Sequence, residues 1–132
     1  MKRALLLATT LATFPSATGQ AAISDADAVL AIIGEAGDQS DTAMLAVASA
    51  LRHRATLQGV YGVKNPVNTH ANAALRARAQ HAWLQSAQRN GGQADPSLGC
   101  KFFGCPADAH YFLHILHFRP VKTIGQITFY KP

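Results

Sequence analysis

Residues Ser24-Asp25-Ala26-Asp27-Ala28-Val29-Leu30-Ala31-Ile32-Ile33-Gly34-Glu35-Ala36-Gly37-Asp38-Gln39-Ser40-Asp41 contain a helix start, an apolar helix face and a helix stop. Ser24 followed three positions later by Asp27 has the form of a capping box, with Asp in place of the usual Glu or Gln. Val29, Ile32, Ile33 and Ala36 recur at the spacing of one helix face, which predicts a helix from about Asp25 to Ala36. Gly37-Asp38-Gln39-Ser40 interrupts it. Asp41 can cap a second helix, whose apolar stripe is Met44, Val47, Ala48 and Leu51, with Arg52 and Arg54 near its end.

Gln58 to Asn68 is turn-rich, with Gly59, Gly62 and Asn65-Pro66. A third helix is predicted over about Asn72 to Arg89, presenting Leu75, Ala79, Ala82 and Trp83 on one side, and Gly91-Gly92 stops it. Asp95-Pro96 opens a turn, and Cys100 to Cys105 reads as extended or hairpin-like. Ala107 to Phe118 fits a helix or a buried strand, and periodicity does not separate the two. Gln126-Ile127-Thr128-Phe129-Tyr130 is rich in β-formers and reads as a closing strand. The sum is a helix-dominated α+β domain with little sheet and a small, alanine-rich core.

The chain has 132 residues, 48% of them hydrophobic and 14% charged, enough for one globular domain. It contains no run of eighteen apolar residues, so no transmembrane helix is expected. Met1-Lys2-Arg3 is a basic head, Ala4 to Phe14 an apolar run broken only by threonines, and Ala17-Thr18-Gly19 a small-residue exit. That order predicts a signal peptide over residues 1–19, a mature domain over 20–132, and a periplasmic or extracellular location. Twelve Lys and Arg stand against seven Asp and Glu, a formal charge of +5. Removing the head leaves a mildly basic domain, which suits an anionic target such as a cell envelope.

Export changes what the two cysteines mean. In an oxidising compartment Cys100 and Cys105 read as a local disulfide. Their odd offset puts them on opposite faces of a straight strand, so the bridge needs a turn, which Gly104 could supply. A zinc site would require further ligands at suitable spacing.

Glu35 is the single glutamate of the chain. Its apolar flanks and its place in the last turn of a helix both oppose ionisation. A carboxylic acid that stays protonated near neutral pH is what glycosidic bond cleavage asks of a general acid. Gly34 and Gly37 beside it would let a bulky polymer approach the backbone.

Gly34-Glu35-Ala36, followed at matching spacing by Ala46-Val47-Ala48 and Arg54, resembles the opening motif of the SleB-type cell wall hydrolases, with His53 where that family has asparagine. Ala82-Trp83, the segment Asp95-Pro96-Ser97-Leu98-Gly99-Cys100-Lys101-Phe102-Phe103, and Ile124-Gly125 through Phe129-Tyr130 are similar to later family segments in the same order. The likeness spans about residues 28 to 131. It implies a lysozyme-like fold acting on peptidoglycan, with the family's catalytic glutamate carried onto Glu35. It further implies lytic transglycosylation, in which one acid protonates the oxygen between N-acetylmuramic acid and N-acetylglucosamine and then takes the proton of the muramyl C6 hydroxyl. Glycoside hydrolysis usually needs two carboxyl groups, and Asp38, Asp41 or Asp95 could supply a second if folding brings one close. The family's second glutamate is Gln39 here and an arginine of its motif is missing. A non-catalytic peptidoglycan-binding or structural domain is therefore the alternative, and inhibition of another wall enzyme a remoter one.

Tyr61, Phe103 and Tyr130 lie near turns or ends and are the candidates for an exposed sugar-binding groove. Trp83 shares a helical stripe with Ala79 and Ala82, which favours core packing. His110, His114 and His117 would share one face of a helix, but in a largely apolar segment they read as polar edges rather than as a metal site. Neither a metal nor a cofactor is expected. The basic residues form no nucleic-acid-reading motif and are not interleaved with aromatics, so peptidoglycan glycan strands are the expected partner.

Overall fold

The computed structural model describes residues 22–88 and 94–132. The predicted signal peptide, and Arg89 with the Gly91-Gly92 stop, lie outside the described residues.

Helix α1 spans Asp25–Ala36 and starts as its sequence predicts, with Ser24 Oγ accepting the Asp27 N–H at 3.1 Å. Helix α2, Asp41–Arg54, is capped one residue earlier than expected: Ser40 Oγ accepts the Ala43 N–H, and Asp41 is already helical. A 3₁₀ turn at Tyr61–Lys64 and a one-turn helix α3, Val67–His70, organise the turn-rich stretch. Helix α4, Ala73–Ala87, is capped by Asn72, whose side chain accepts the Leu75 N–H at 2.8 Å.

The stripes named from the sequence are buried: Val29, Ile32, Ile33 and Ala36 on α1, Met44, Val47, Ala48 and Leu51 on α2, Ala79, Ala82 and Trp83 on α4, while Leu75 at the start of the α4 stripe is only partly buried. The three helices pack on one another, and many core positions are alanine, which lets the backbones approach closely. Trp83 is a core residue. Its indole N–H donates to Asp25 at 2.7 Å, and the Arg52 guanidinium lies 3.6 Å from the ring centroid.

Three antiparallel strands complete the domain: β1 at Phe102–Gly104, β2 at Arg119–Ile124 and β3 at Ile127–Lys131, in the order β1-β3-β2. Phe103 pairs with Phe129, and Phe103, Ile127 and Phe129 join the helical core. Between β1 and β2 the chain forms a 3₁₀ turn, Pro106–Asp108, and a π-helical turn, Tyr111–Ile115, closed by the Leu116 N–H on the Tyr111 carbonyl. The architecture is α+β, dominated by helices, with a small sheet. No helix among the described residues is long and apolar enough to cross a membrane.

The expected Cys100–Cys105 bridge is not present. The thiols are free, Cys100 buried and Cys105 exposed. Gly104 is not a turn residue but a strand residue paired with Thr128, and three of the four residues between the cysteines are in β1.

Candidate active site

Two glycines place Glu35. The Tyr61–Lys64 turn lies against the second half of α1 so closely that a Cβ on residue 34 would overlap the Gly62 carbonyl oxygen. A Cβ on residue 62 would stand 2.7 Å from both the Ala31 carbonyl oxygen and Glu35 Cγ. The approach lets the Gly62 N–H donate to Glu35 Oε1 at 2.7 Å. Asn65 Nδ2 donates to the Gly34 carbonyl at 3.0 Å, and buried Asn68 donates to the Gly62 and Val63 carbonyls. The space beside Gly34 is thus filled by the protein's own backbone and not left for a polymer, which corrects the reading of that glycine.

Glu35 lines a cleft of about 630 Å³. One wall is helical: Gly34, Glu35, Asp38 and Gln39 at the end of α1, Arg54 at the end of α2, and the stretch around Tyr61 and Gly62. The other comes from the sheet and the segment after β1, including Phe103, Asp108, Tyr111, Phe112 and Gln126. That volume is of the size that accommodates small organic ligands or a few sugar rings.

Burial raises the Glu35 pKa above the ordinary carboxyl value, and the negative charge of Asp108 adds to the rise. The Gly62 hydrogen bond and the Arg54 cation oppose it. Arg54 is itself partly desolvated, which lowers its pKa, while Glu35 acts the other way. Its Nε is buried with no hydrogen-bond partner among the described residues, and its guanidinium carbon stands 5.6 Å from the Phe102 ring centroid. The cleft therefore holds a carboxyl that resists ionisation, a cation that eases it, and two further carboxylates, Asp38 and Asp108. Such a set can deliver a proton and take one back.

The other candidates separate. Tyr61 is 82% exposed at the cleft rim. Phe103 lines the cleft but is largely buried, so it is floor rather than exposed platform. Tyr130 is 2% exposed, stacked on Phe112 with ring centroids 4.4 Å apart, and does not line the cleft. Its closing strand is the central one of the sheet, which buries it; the expected groove role is corrected to packing beneath a lining residue.

Of the proposed second carboxylates only Asp38 reaches the cleft. Asp41 pairs with Arg78 at 2.7 Å. Asp95 meets His53 Nε2 at 2.6 Å and accepts the Ser97 and Gly99 N–H groups, so it orders the turn before β1. Gln39 is structural as well: its Oε1 accepts the Gln126 N–H at 3.0 Å in the β2–β3 turn, and its Nε2 donates to Asp38 at 3.1 Å. The turn comes this close because Gly125, at φ 59°, has no Cβ to strike the Gln39 amide. His110 and His114 have ring centroids 4.9 Å apart, and His117 ends its segment at φ 54°. No group of three metal-ligating side chains is gathered among the described residues.

Asp108 and Phe112 were not legible beforehand. Asp108 is held by the Cys105 N–H at 2.9 Å and passes beside Gly104, where a Cβ would stand 2.8 Å from its carboxylate. The Gly-Cys-Pro-Ala-Asp spacing carries that local signal, but not the sheet placement that turns Asp108 toward Glu35. No family model matches the chain, and no curated protein or solved structure matches it either.

Proposed function

We propose that this chain is an exported peptidoglycan-cleaving enzyme in which Glu35 acts as general acid and then as base. The observation that carries the reading is the position of Glu35: a carboxyl on the wall of an open cleft, its pKa raised by burial, beside a cation. The resemblance of Gly34-Glu35-Ala36 and the later segments to the SleB-type cell wall hydrolases supports the choice of glycan and a lysozyme-like role.

Glu35 gives its proton to the oxygen bridging N-acetylmuramic acid and N-acetylglucosamine, and the C1–O bond breaks as positive charge develops at C1. The carboxylate left behind is stabilised by the Gly62 N–H and the Arg54 charge. It takes the proton of the muramyl C6 hydroxyl, whose oxygen closes on C1 to give a 1,6-anhydro end. Hydrolysis through Asp38 or Asp108 yields a reducing end instead, so the products separate the two routes.

The test is digestion of purified peptidoglycan by the parent chain and by Glu35→Gln, with released muropeptides read by mass spectrometry. The parent releases anhydro-ended fragments and the variant releases at most about a hundredth as much, the usual scale of a lost general acid. Equal release by both chains overturns the assignment. A second reading, a non-catalytic wall-binding domain, is favoured by Gln39, which spends its amide on the β2–β3 turn where the family has an acid. It requires co-sedimentation with peptidoglycan and no soluble fragments.

A further inference from the structure

The two walls of the Glu35 cleft are tied together at one place. Gln39 stands on the helical wall and Gln126 on the sheet wall, and both line the cleft. The Gln126 N–H donates to Gln39 Oε1 at 3.0 Å. Gly125 heads the two-residue turn between paired Ile124 and Ile127, and a Cβ there would overlap the Gln39 amide oxygen. The tie lies at the surface, not on the floor. Gln126 is exposed and Gln39 half-buried, whereas the lining residues Phe103 and Ile127 are 8% and 4% exposed. Gln39 is also held from behind. Its N–H donates to the Ala36 carbonyl at 3.0 Å, its carbonyl accepts Arg78 Nη2 at 2.9 Å, and its Nε2 donates to Asp38 at 3.1 Å. One neutral amide thus accepts from the turn and donates to Asp38, two tasks that a carboxylate cannot combine.

A groove that cuts a polymer at internal bonds must be open at both ends, because the strand continues on each side of the bond that breaks. A groove whose walls meet beside the acid accepts only a chain end. Gln39 follows Glu35 by four residues, so the closure stands about one turn of chain from the acid. On the other side of Glu35, the Asn65 amide meets α1 at the Gly34 carbonyl. There Tyr61 is 82% exposed, and among the described residues neither it nor Asn65 is hydrogen-bonded to the sheet wall. We infer that Gln39 is a positioning residue that closes one end of the cleft, so that the chain takes the ends of glycan strands and releases short saccharides instead of cutting within. The inference rests on the glycan cleavage proposed for Glu35.

The test is the length of the early products. Purified peptidoglycan is digested briefly with the full chain, the peptide stems are removed with an amidase, and the strands are sized by chromatography. The parent releases short saccharides from the first turnovers, while the remaining strands keep nearly their starting length. Gln39→Ala removes the acceptor and lets the walls part. Internal cuts then appear, and the ratio of long to short products rises roughly five- to tenfold, the scale of one lost hydrogen bond. Gln39→Glu keeps an acceptor for the Gln126 N–H and keeps the parent's pattern. Thermal melting verifies that both variants fold, and the parent's own pattern decides where one does not. Early loss of strand length with the parent overturns this inference alone. So does a folded Gln39→Ala that matches the parent or cleaves nothing, or a folded Gln39→Glu that cuts internally. No release by the parent overturns the reading of Glu35, and this inference with it.

Discussion

Glu35 titrates late because burial, the largest of four influences, outweighs the two that favour the ion. Burial between α1 and the Tyr61 turn and the facing charge of Asp108 raise its pKa; the Gly62 N–H and Arg54 hold it back. Between the ordinary carboxyl pKa and the raised one, the folded protein binds more protons than the unfolded chain, so stability falls as pH rises through that window. Glu35→Gln never ionises. It should therefore melt above the parent at pH 7, with the difference vanishing near about pH 3, where both side chains are neutral; calorimetry at the two pH values checks this. On the role proposed for Glu35, the same balance sets the pH dependence of catalysis. Activity of a general acid falls as pH rises past its pKa. Arg54→Gln removes a lowering charge and should move that limb to higher pH, while Asp108→Asn should move it to lower pH. Rate profiles of both variants read the opposite displacements directly.

At the scale of elements, the close contact between α1 and the Tyr61–Lys64 turn is the most exacting. Gly34→Ala puts a methyl into the Gly62 carbonyl. The turn must lift, at a cost of about 1–3 kcal/mol, and the Gly62 N–H leaves Glu35. Resistance to denaturant and muropeptide release should both fall, which unfolding curves and digestion read directly. The helices were legible because each carries its own evidence: a cap, a stripe at helical spacing, a glycine or proline beyond the end. Glu35 was legible too, as an acid set in an apolar helix turn. Strand β2 was not. Arg119-Pro120-Val121-Lys122 shows no alternation because neither face is buried, and it is a strand only because β3 offers partners. The stretch before it was ambiguous for a related reason: a π turn closes on the fifth residue, so the four-and-three spacing of the histidines marks neither an α-helix nor a strand. Asp108 and Tyr130 depended on where the sheet sits, which local pattern does not encode.

The whole molecule rests on an alanine-rich helical core joined to a sheet, without a covalent tie between its cysteines. Thermal midpoints with and without a reductant should coincide. In the folded protein a thiol reagent should label exposed Cys105 rapidly and reach Cys100 only on unfolding, since Cys100 is buried and burial keeps its thiol protonated. A reductant-sensitive midpoint would show that the two sulfurs do meet.

Strand β3 follows β1 and β2 in sequence yet lies between them. During synthesis both outer strands leave the ribosome before the one that joins them, so they have nothing to pair with until it arrives. The helical half, built from near neighbours, can collapse first. A nascent chain thus carries its acid with one flank still in water and gains its second wall only when the joining strand slots home.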